Sequence, residues 1–241
     1  MRMLTFARRV TKEILTDPIN LAFGLGFPLV LLFLLSAIQA NIPVQMFEIG
    51  HLTPGITVFG LAFITLFSAT MIAKDRSSAL LQRLYTTPLR PVDFILGYTL
   101  PILPISVAQC AICYVAAVLL GLEITVNILY GILLIVPVAV LYIGLGLLCG
   151  SVLNDKQVGG ICGALLTNLS AWLSGIWFDL NLVGDTFRKI AYALPFVHAV
   201  EMERAVLAGN FGDIFPHLGW VLAYAAVSLI AAIWLFLRQM K

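Results

Sequence analysis

Charge is scarce in this chain. Only 11% of its 241 residues are Asp, Glu, Lys or Arg, while 61% are hydrophobic. A soluble domain of this size needs far more polar surface, so the composition places the chain in a bilayer. The net charge of +2, scattered among apolar runs, excludes a nucleic-acid footprint. Catalytic signatures are missing too. There is no GxxxxGK[ST] loop for nucleotide and no HExxH or paired-glutamate spacing for a membrane protease, and Ser174 lacks the usual flanking glycine. Cysteine is used four times, always inside apolar runs, and Cys110-x-x-Cys113 has neither a second ligand pair nor a polar setting. These thiols read as small hydrophobes rather than a metal or redox site. Gly144-x-Gly146 lies inside an apolar run, without the strand-turn-helix context of a dinucleotide fingerprint. No Asp, Glu, Lys or Arg falls in the centre of any apolar run, which removes the usual ion-coupling site of a secondary transporter.

What the sequence does contain is six apolar runs, at about residues 19–38, 54–73, 97–120, 128–152, 158–178 and 218–237. Each is about long enough for the ~30 Å hydrocarbon core. They describe an all-α integral membrane protein, a single domain over residues 1–241 with no repeat or linker to divide it. Ahead of them, residues 2–16 set Arg2, Arg8, Arg9 and Lys12 on one helical face and Met3, Ala7, Val10 and Ile14 on the other. That is the pattern of an interfacial helix, with Asp17-Pro18 as the elbow into the first span. No small-residue cleavage site follows the first run, so it reads as a span and not a signal peptide. Pro101 and Pro104 fall near the start of the third run, where a kink can be absorbed by neighbouring helices. Asn154-Asp155-Lys156 is so short a connection that the fourth and fifth runs must be antiparallel neighbours.

Two stretches between the runs carry more information. From Lys74 to Tyr98, Leu80, Leu81, Leu84 and Tyr85 gather on one side of a helix at about 100° per residue, and Asp75, Arg76, Gln82, Arg83 and Thr86 on the other. The pattern predicts a helix lying on the membrane surface, ending near Thr87 because of Pro88, with a new element after Pro91. An ordinary basic loop that sets topology is the plainer alternative. From Trp177 to His217 the polarity is mixed and no run can cross a bilayer. Phe187, Ile190, Ala191 and Leu194 sit at helical spacing, Pro195 breaks the run, and Val197–Leu207 resumes it, predicting two short helices joined at Pro195. Glu201 and Arg204, three apart, are expected to pair and anchor this outer segment. Six spans put both termini on one side, and of the 14 Lys and Arg all but Arg188, Lys189 and Arg204 fall on that side, which makes it cytoplasmic. Polar residues in the spans are neutral, and most serve as interhelical glue. The stretch Asn168 to Ser174 is the exception: above a Gly159/Gly163 seam it offers a mixed polar and aromatic lining with Trp172 and Phe178.

This layout resembles a permease subunit of the ABC-2 type, the six-span part of an exporter whose ATPase is a separate protein. The resemblance rests on Leu80-Leu81-x-x-Leu84-Tyr85-Thr86-Thr87-Pro88-Leu89, similar to the family's L..L..TPL segment, followed by Gly97. It rests also on Gly175-x-Trp177-Phe178, Leu194-Pro195, His198-Ala199 and Glu201-x-x-Arg204, although Asp179 stands where the family has proline and no Met-Pro pair follows. It implies an N-terminal connecting helix and a cytoplasmic coupling helix that meets the ATPase through Leu80, Leu81, Leu84, Tyr85, Pro88, Arg76 and Arg83. It implies a dimeric path lined by spans one, two and five, with Thr65, Ser68, Asn168, Ser170, Trp172, Ser174 and Phe178 as candidate lining. Pro195, His198, Glu201 and Arg204 mark the outer segment. The implied partners are nucleotide-binding ATPase subunits, a second permease copy or paralogue, and membrane lipids. No cofactor or metal is expected on this chain, ATP and Mg belonging to the partner. A neutral, aromatic lining favours an amphiphilic or hydrophobic cargo, such as a drug, antibiotic, peptide or lipid-like molecule, over a small ion. Export of a lipid-linked saccharide is the second transport reading, and a membrane scaffold or sensor the reading from another class.

Overall fold

The computed structural model describes residues 2–42, 45–78 and 91–239, and among these every regular element is helical. Helix α1 (Arg2–Leu15) leads to α2 (Pro18–Leu21), which passes through a π-helical stretch, Ala22–Gly26, into α3 (Phe27–Asn41). Three long helices follow: α4 (Ile49–Ser77), α5 (Pro91–Leu119) and α6 (Val126–Val152). Helix α7 (Asp155–Val158) continues through a second π-helical stretch, Gly159–Leu166, into α8 (Thr167–Trp172). Then come α9 (Asp185–Ala193), α10 (Pro195–Leu207) and α11 (Ile214–Gln239). Among the described residues five segments are long and apolar enough to cross a membrane: Ala22–Asn41, Ile49–Ser77, Val92–Leu119, Val126–Val152 and Phe211–Arg238.

The boundaries follow local chemistry. Pro91 opens α5, a position where its missing N–H is not needed. Asn154 caps α7 with a reciprocal box, its side chain accepting from the Gln157 N–H while Gln157 accepts from the Asn154 N–H. Pro195 sits in the first turn of α10, straight after the extended Leu194 that ends α9, so the predicted break at this proline is present.

Three expectations need correction. The run expected over 158–178 starts earlier and stops sooner: its helical part spans Asp155 to Trp172 and ends in a turn where Gly175 takes φ +70°, a conformation that side-chain-bearing residues avoid. Lys74, Asp75, Arg76 and Ser77 are the last turn of α4 rather than the first turn of a separate surface helix. The remaining residues of that expected helix, Leu80, Leu81, Arg83, Leu84, Tyr85 and Pro88, lie outside the described residues. Finally, the apolar side of α1 is covered by protein. Phe6, Ala7, Val10 and Ile14 are buried as α1 packs on α5, with the Phe6 ring edge-on to Phe94 at 5.8 Å and Tyr98 at 5.0 Å.

At the centre, α6 packs against α4 on one side and α11 on the other. Glycines let the three approach. A Cβ at Gly146 would strike the Ser68 side chain and lie 2.7 Å from the Thr65 carbonyl, one at Gly150 would lie 2.7 Å from the Ala69 carbonyl, and one at Gly144 would meet the Ser228 hydroxyl. Thr65 uses the proximity to donate to the Tyr142 carbonyl at 2.8 Å. The bundle has two ends. One holds both chain ends, where α1, the end of α4, the start of α5 and the end of α11 meet; Phe94 stacks on Phe236 there. The other holds α9, α10 and the start of α11.

Gly146→Leu should force α4 and α6 apart at a cost of about 1–3 kcal/mol or more, lowering the melting temperature of the purified protein. Gly219→Ala on α11, where nothing lies within 4 Å, should leave melting unchanged or raise it. Equal melting of the two variants would show that this crossing does not need its glycine.

Candidate functional site

At the end that gathers the termini, the last turn of α4 holds three other helices. Arg9 of α1 donates twice to the Asp75 carboxylate, at 2.7 and 2.6 Å, and the Tyr98 hydroxyl of α5 donates to the same carboxylate at 2.7 Å. Asp75 is only 3% exposed, so these donors replace the water it gave up. The hydrogen bond to Asp75 pulls the Arg9 guanidinium above its ordinary pKa against the opposing effect of burial. Arg9 also reaches Glu13 one turn along, at 2.9 Å. From the next position, Arg76 turns the other way and donates to the carbonyls of Ser151, Val152 and Leu153. Those are the unpaired acceptors at the end of α6, where a cation also complements the helix dipole. One helical turn thus ties α1, α5 and α6 to α4, immediately before the segment predicted to meet an ATPase.

The residues expected along a path divide into two groups. Thr65 and Ser68 are buried between α4 and α6, and Ser68 donates back to Ile64 and Thr65 carbonyls. Ser170 is buried against the Tyr142 hydroxyl at 3.0 Å, and Ser174 donates to the Ala171 carbonyl. Phe178 is half-buried beside Phe187, ring centres 6.1 Å apart. Asn168 and Trp172 instead face outward, one turn apart on α8, with Leu165 and Leu169 exposed beside them. Asn168 spends one donor on the Ala164 carbonyl at 2.7 Å, which leaves its amide oxygen outward. Helix α3 shows a matching exposed apolar face through Val30, Phe33, Leu34 and Ile38.

At the opposite end Arg204 is the hub. It donates to Glu201 at 2.9 Å, to the Gly175 carbonyl at 3.1 Å and to the His51 carbonyl at 3.4 Å, so α10 is pinned to the turn after α8 and to the start of α4. Burial lowers its pKa, and Glu201 partly offsets that. A cavity of about 490 Å³ opens beside it, lined mainly by polar groups such as Glu48, His51, Asp179, Asn181, Arg188 and Glu201. His198 fastens α10 to its neighbours. Its Nε2 lies 2.9 Å from the Tyr192 carbonyl and must donate there, so in the neutral ring Nδ1 accepts from His217 Nδ1–H at 2.8 Å. The ring stacks on Trp220 at 5.0 Å, and burial lowers its pKa.

A family model described as an ABC-2 family transporter protein matches residues 38–234. The chain belongs to the ABC-2 transporter family. It is 24% identical to Nodulation protein J of Bradyrhizobium diazoefficiens over 227 residues, which cover 94% of this chain and 85% of that one. It is 32% identical to the capsule polysaccharide export inner-membrane protein CtrC of Neisseria meningitidis serogroup B over 132 residues, 54% of this chain and 48% of that one. The serogroup A protein of the same name is 28% identical over 131 residues. An ABC-2 permease is a multi-pass membrane transport subunit, and its ATPase is carried by a separate subunit.

Two features of this ABC-2 permease escape a reading of its sequence. Asp75 looks like part of a solvated charged island, yet its partners Arg9 and Tyr98 come from 66 residues before and 23 after. In sequence Glu203 resembles one member of a scattered acid-base set with His198 and Glu201, yet it is fully buried, with Oε2 3.4 Å from the Tyr114 hydroxyl and Oε1 unpaired among the described residues. Burial raises the Glu203 pKa well above its ordinary 4.5. A carboxyl whose folded pKa is raised contributes its full stability below the unfolded value and loses it as pH rises toward the folded value. Glu203→Gln should therefore melt near wild type at pH 5 and progressively above it as pH approaches 9. A melting difference that stays constant between those pH values would show that Glu203 is ionised throughout.

Proposed function

We propose that this permease pairs with a second copy and two cytoplasmic ATPase subunits to export a lipid-linked saccharide, with both termini in the cytoplasm and a sixth crossing made by the Asp155–Trp172 run. The observation that carries the cargo class is the polar character of the cavity beside Arg204, which presents carboxylates, an amide and an imidazole at one end of an otherwise apolar bundle. Such groups bond hydroxyls and offer little to an apolar drug. The relatives named for capsule polysaccharide export agree with it, although this chain spans about half their length. The basic bias toward the end holding Arg8, Arg9, Lys74, Arg76 and Lys156 supports the orientation. The exposed faces of α3 and α8 fit a second copy, which would set Asn168 and Trp172 along the path between the two chains.

The test is ATP hydrolysis by permease and ATPase reconstituted together in vesicles. A lipid-linked oligosaccharide should raise turnover several-fold, and Asn168→Leu or Trp172→Ala should blunt that response with dimerisation intact. An equal response to a sugar-free amphiphile or an apolar drug would shift the cargo to the wider amphiphile class. No response to any of them would favour a scaffold.

Coupling is proposed through the segment after Ser78. Leu84 and Tyr85 are the expected anchors in a groove on the ATPase, and a leucine buried there costs a few kcal/mol when made charged. Leu84→Glu should abolish ATPase co-purification while permease stays folded in the membrane, whereas Arg83→Ala, a rim charge, should have little effect. Retained co-purification in Leu84→Glu would return the segment to an ordinary basic loop.

A further inference from the structure

An open groove of about 1100 Å³ runs between α1 and the third and fourth turns of α5. Leu100, Pro101, Pro104 and Ile105 supply its α5 wall, and Arg8 and Lys12 stand on its α1 side, four residues apart and exposed. Like charges at this spacing repel along a helix. The acids nearby are engaged elsewhere, Asp75 by Arg9 and Tyr98 and Glu13 by Arg9, and among the described residues no salt bridge reaches Arg8 or Lys12. From the groove an exposed apolar strip continues along α5 toward the far end through Ile112, Val115 and Leu119. A cationic rim opening onto an apolar strip on a spanning helix has the two-part chemistry of a lipid: an anionic head and an acyl chain.

We propose that this groove binds an anionic phospholipid of the surrounding leaflet, its phosphate between Arg8 and Lys12 and one acyl chain on Leu100 and Pro104. Basic pockets beside spanning helices recognise such headgroups, and the guanidinium can engage two phosphate oxygens while the ammonium acts as a point charge. Because the groove is formed by α1 docked on α5, the bound lipid also holds α1 against the helix whose Tyr98 shares Asp75. The site belongs to a membrane lipid and is independent of the nature of the cargo.

The experiment is native mass spectrometry of the full-length permease released from nanodiscs containing equal phosphatidylglycerol and phosphatidylcholine. Two cations beside one phosphate give roughly a 10- to 30-fold preference for phosphatidylglycerol in wild type. Arg8→Gln with Lys12→Gln should erase that preference, while Arg188→Gln at the opposite end should keep it. Should the double variant not purify folded, Lys12→Gln alone, and a photo-cross-linker at Leu100 in the otherwise wild-type chain, read the same preference. Equal uptake of the two lipids by wild type, or undiminished phosphatidylglycerol in the double variant, overturns the proposal. So does displacement of the lipid by inorganic phosphate, which would make the groove a site for a free anion, or by a lipid-linked saccharide, which would assign it to cargo.

Discussion

Gly146 and Gly150 let α6 approach α4 until side chain meets backbone, and the other helices take their positions from that crossing. In a bilayer, burying leucine against leucine gains little over leaving it in lipid, so close van der Waals contact and interhelical hydrogen bonds hold helices together. Both are present here. The approach brings the Thr65 hydroxyl onto the Tyr142 carbonyl, and the Tyr142 hydroxyl in turn meets Ser170. Residues that a sequence offers as lining are thereby consumed as the contacts that join α4, α6 and α8.

Much of the helical layout was legible because its punctuation is local. Pro91, the short Asn154-Asp155-Lys156 connection and Pro195 act through their own backbone or near neighbours, and each stands at a boundary in the structure. Asp75 was not legible in the same way. Helical periodicity groups it with charged neighbours on a solvated face, but tertiary contact with α1 and α5 makes it a buried acceptor. The burial of Glu203 has a geometric reason that the sequence does contain. At about 100° per residue it points some 160° away from Glu201. Glu201 can then face Arg204 at the surface while Glu203 faces Tyr114 in the interior. The early stop of the α7–α8 run depends on a positive φ at Gly175, which hydropathy does not register.

The two ends of the bundle use the same side chain. Helix ends leave carbonyls unpaired, and irregular turns leave more. At the end holding the termini, Arg76 satisfies the last carbonyls of α6; at the other, Arg204 satisfies the Gly175 carbonyl in the turn after α8 and adds a longer contact to the His51 carbonyl of α4. Arginine suits both places because it has five donors in a planar fork and stays charged when partly buried. Around Arg204, the His198–His217 contact and the stacked Trp220 add α11 to the same assembly. The outer segment is consequently held by polar contacts to α4, α8 and α11 rather than by apolar burial alone.

Helix α4 is the element common to both ends. Its 29 residues span about 43 Å at 1.5 Å per residue, and about 37 Å of that separates the His51 carbonyl, which meets Arg204, from the Asp75 and Arg76 side chains, which meet α1 and α6. A force delivered just beyond Ser78, as the proposed coupling requires, would reach α1 and α5 through Asp75 and α6 through Arg76. It would reach the outer segment along α4 itself, since the glycine crossing leaves no slack between α4 and α6 for the helices to slide independently. Among the exposed apolar faces of the bundle are those of α3 and α8, and Asn168 and Trp172 lie on the latter. In the proposed dimer, these polar contacts would favour motion of each permease as a unit, with opening between the chains rather than within one.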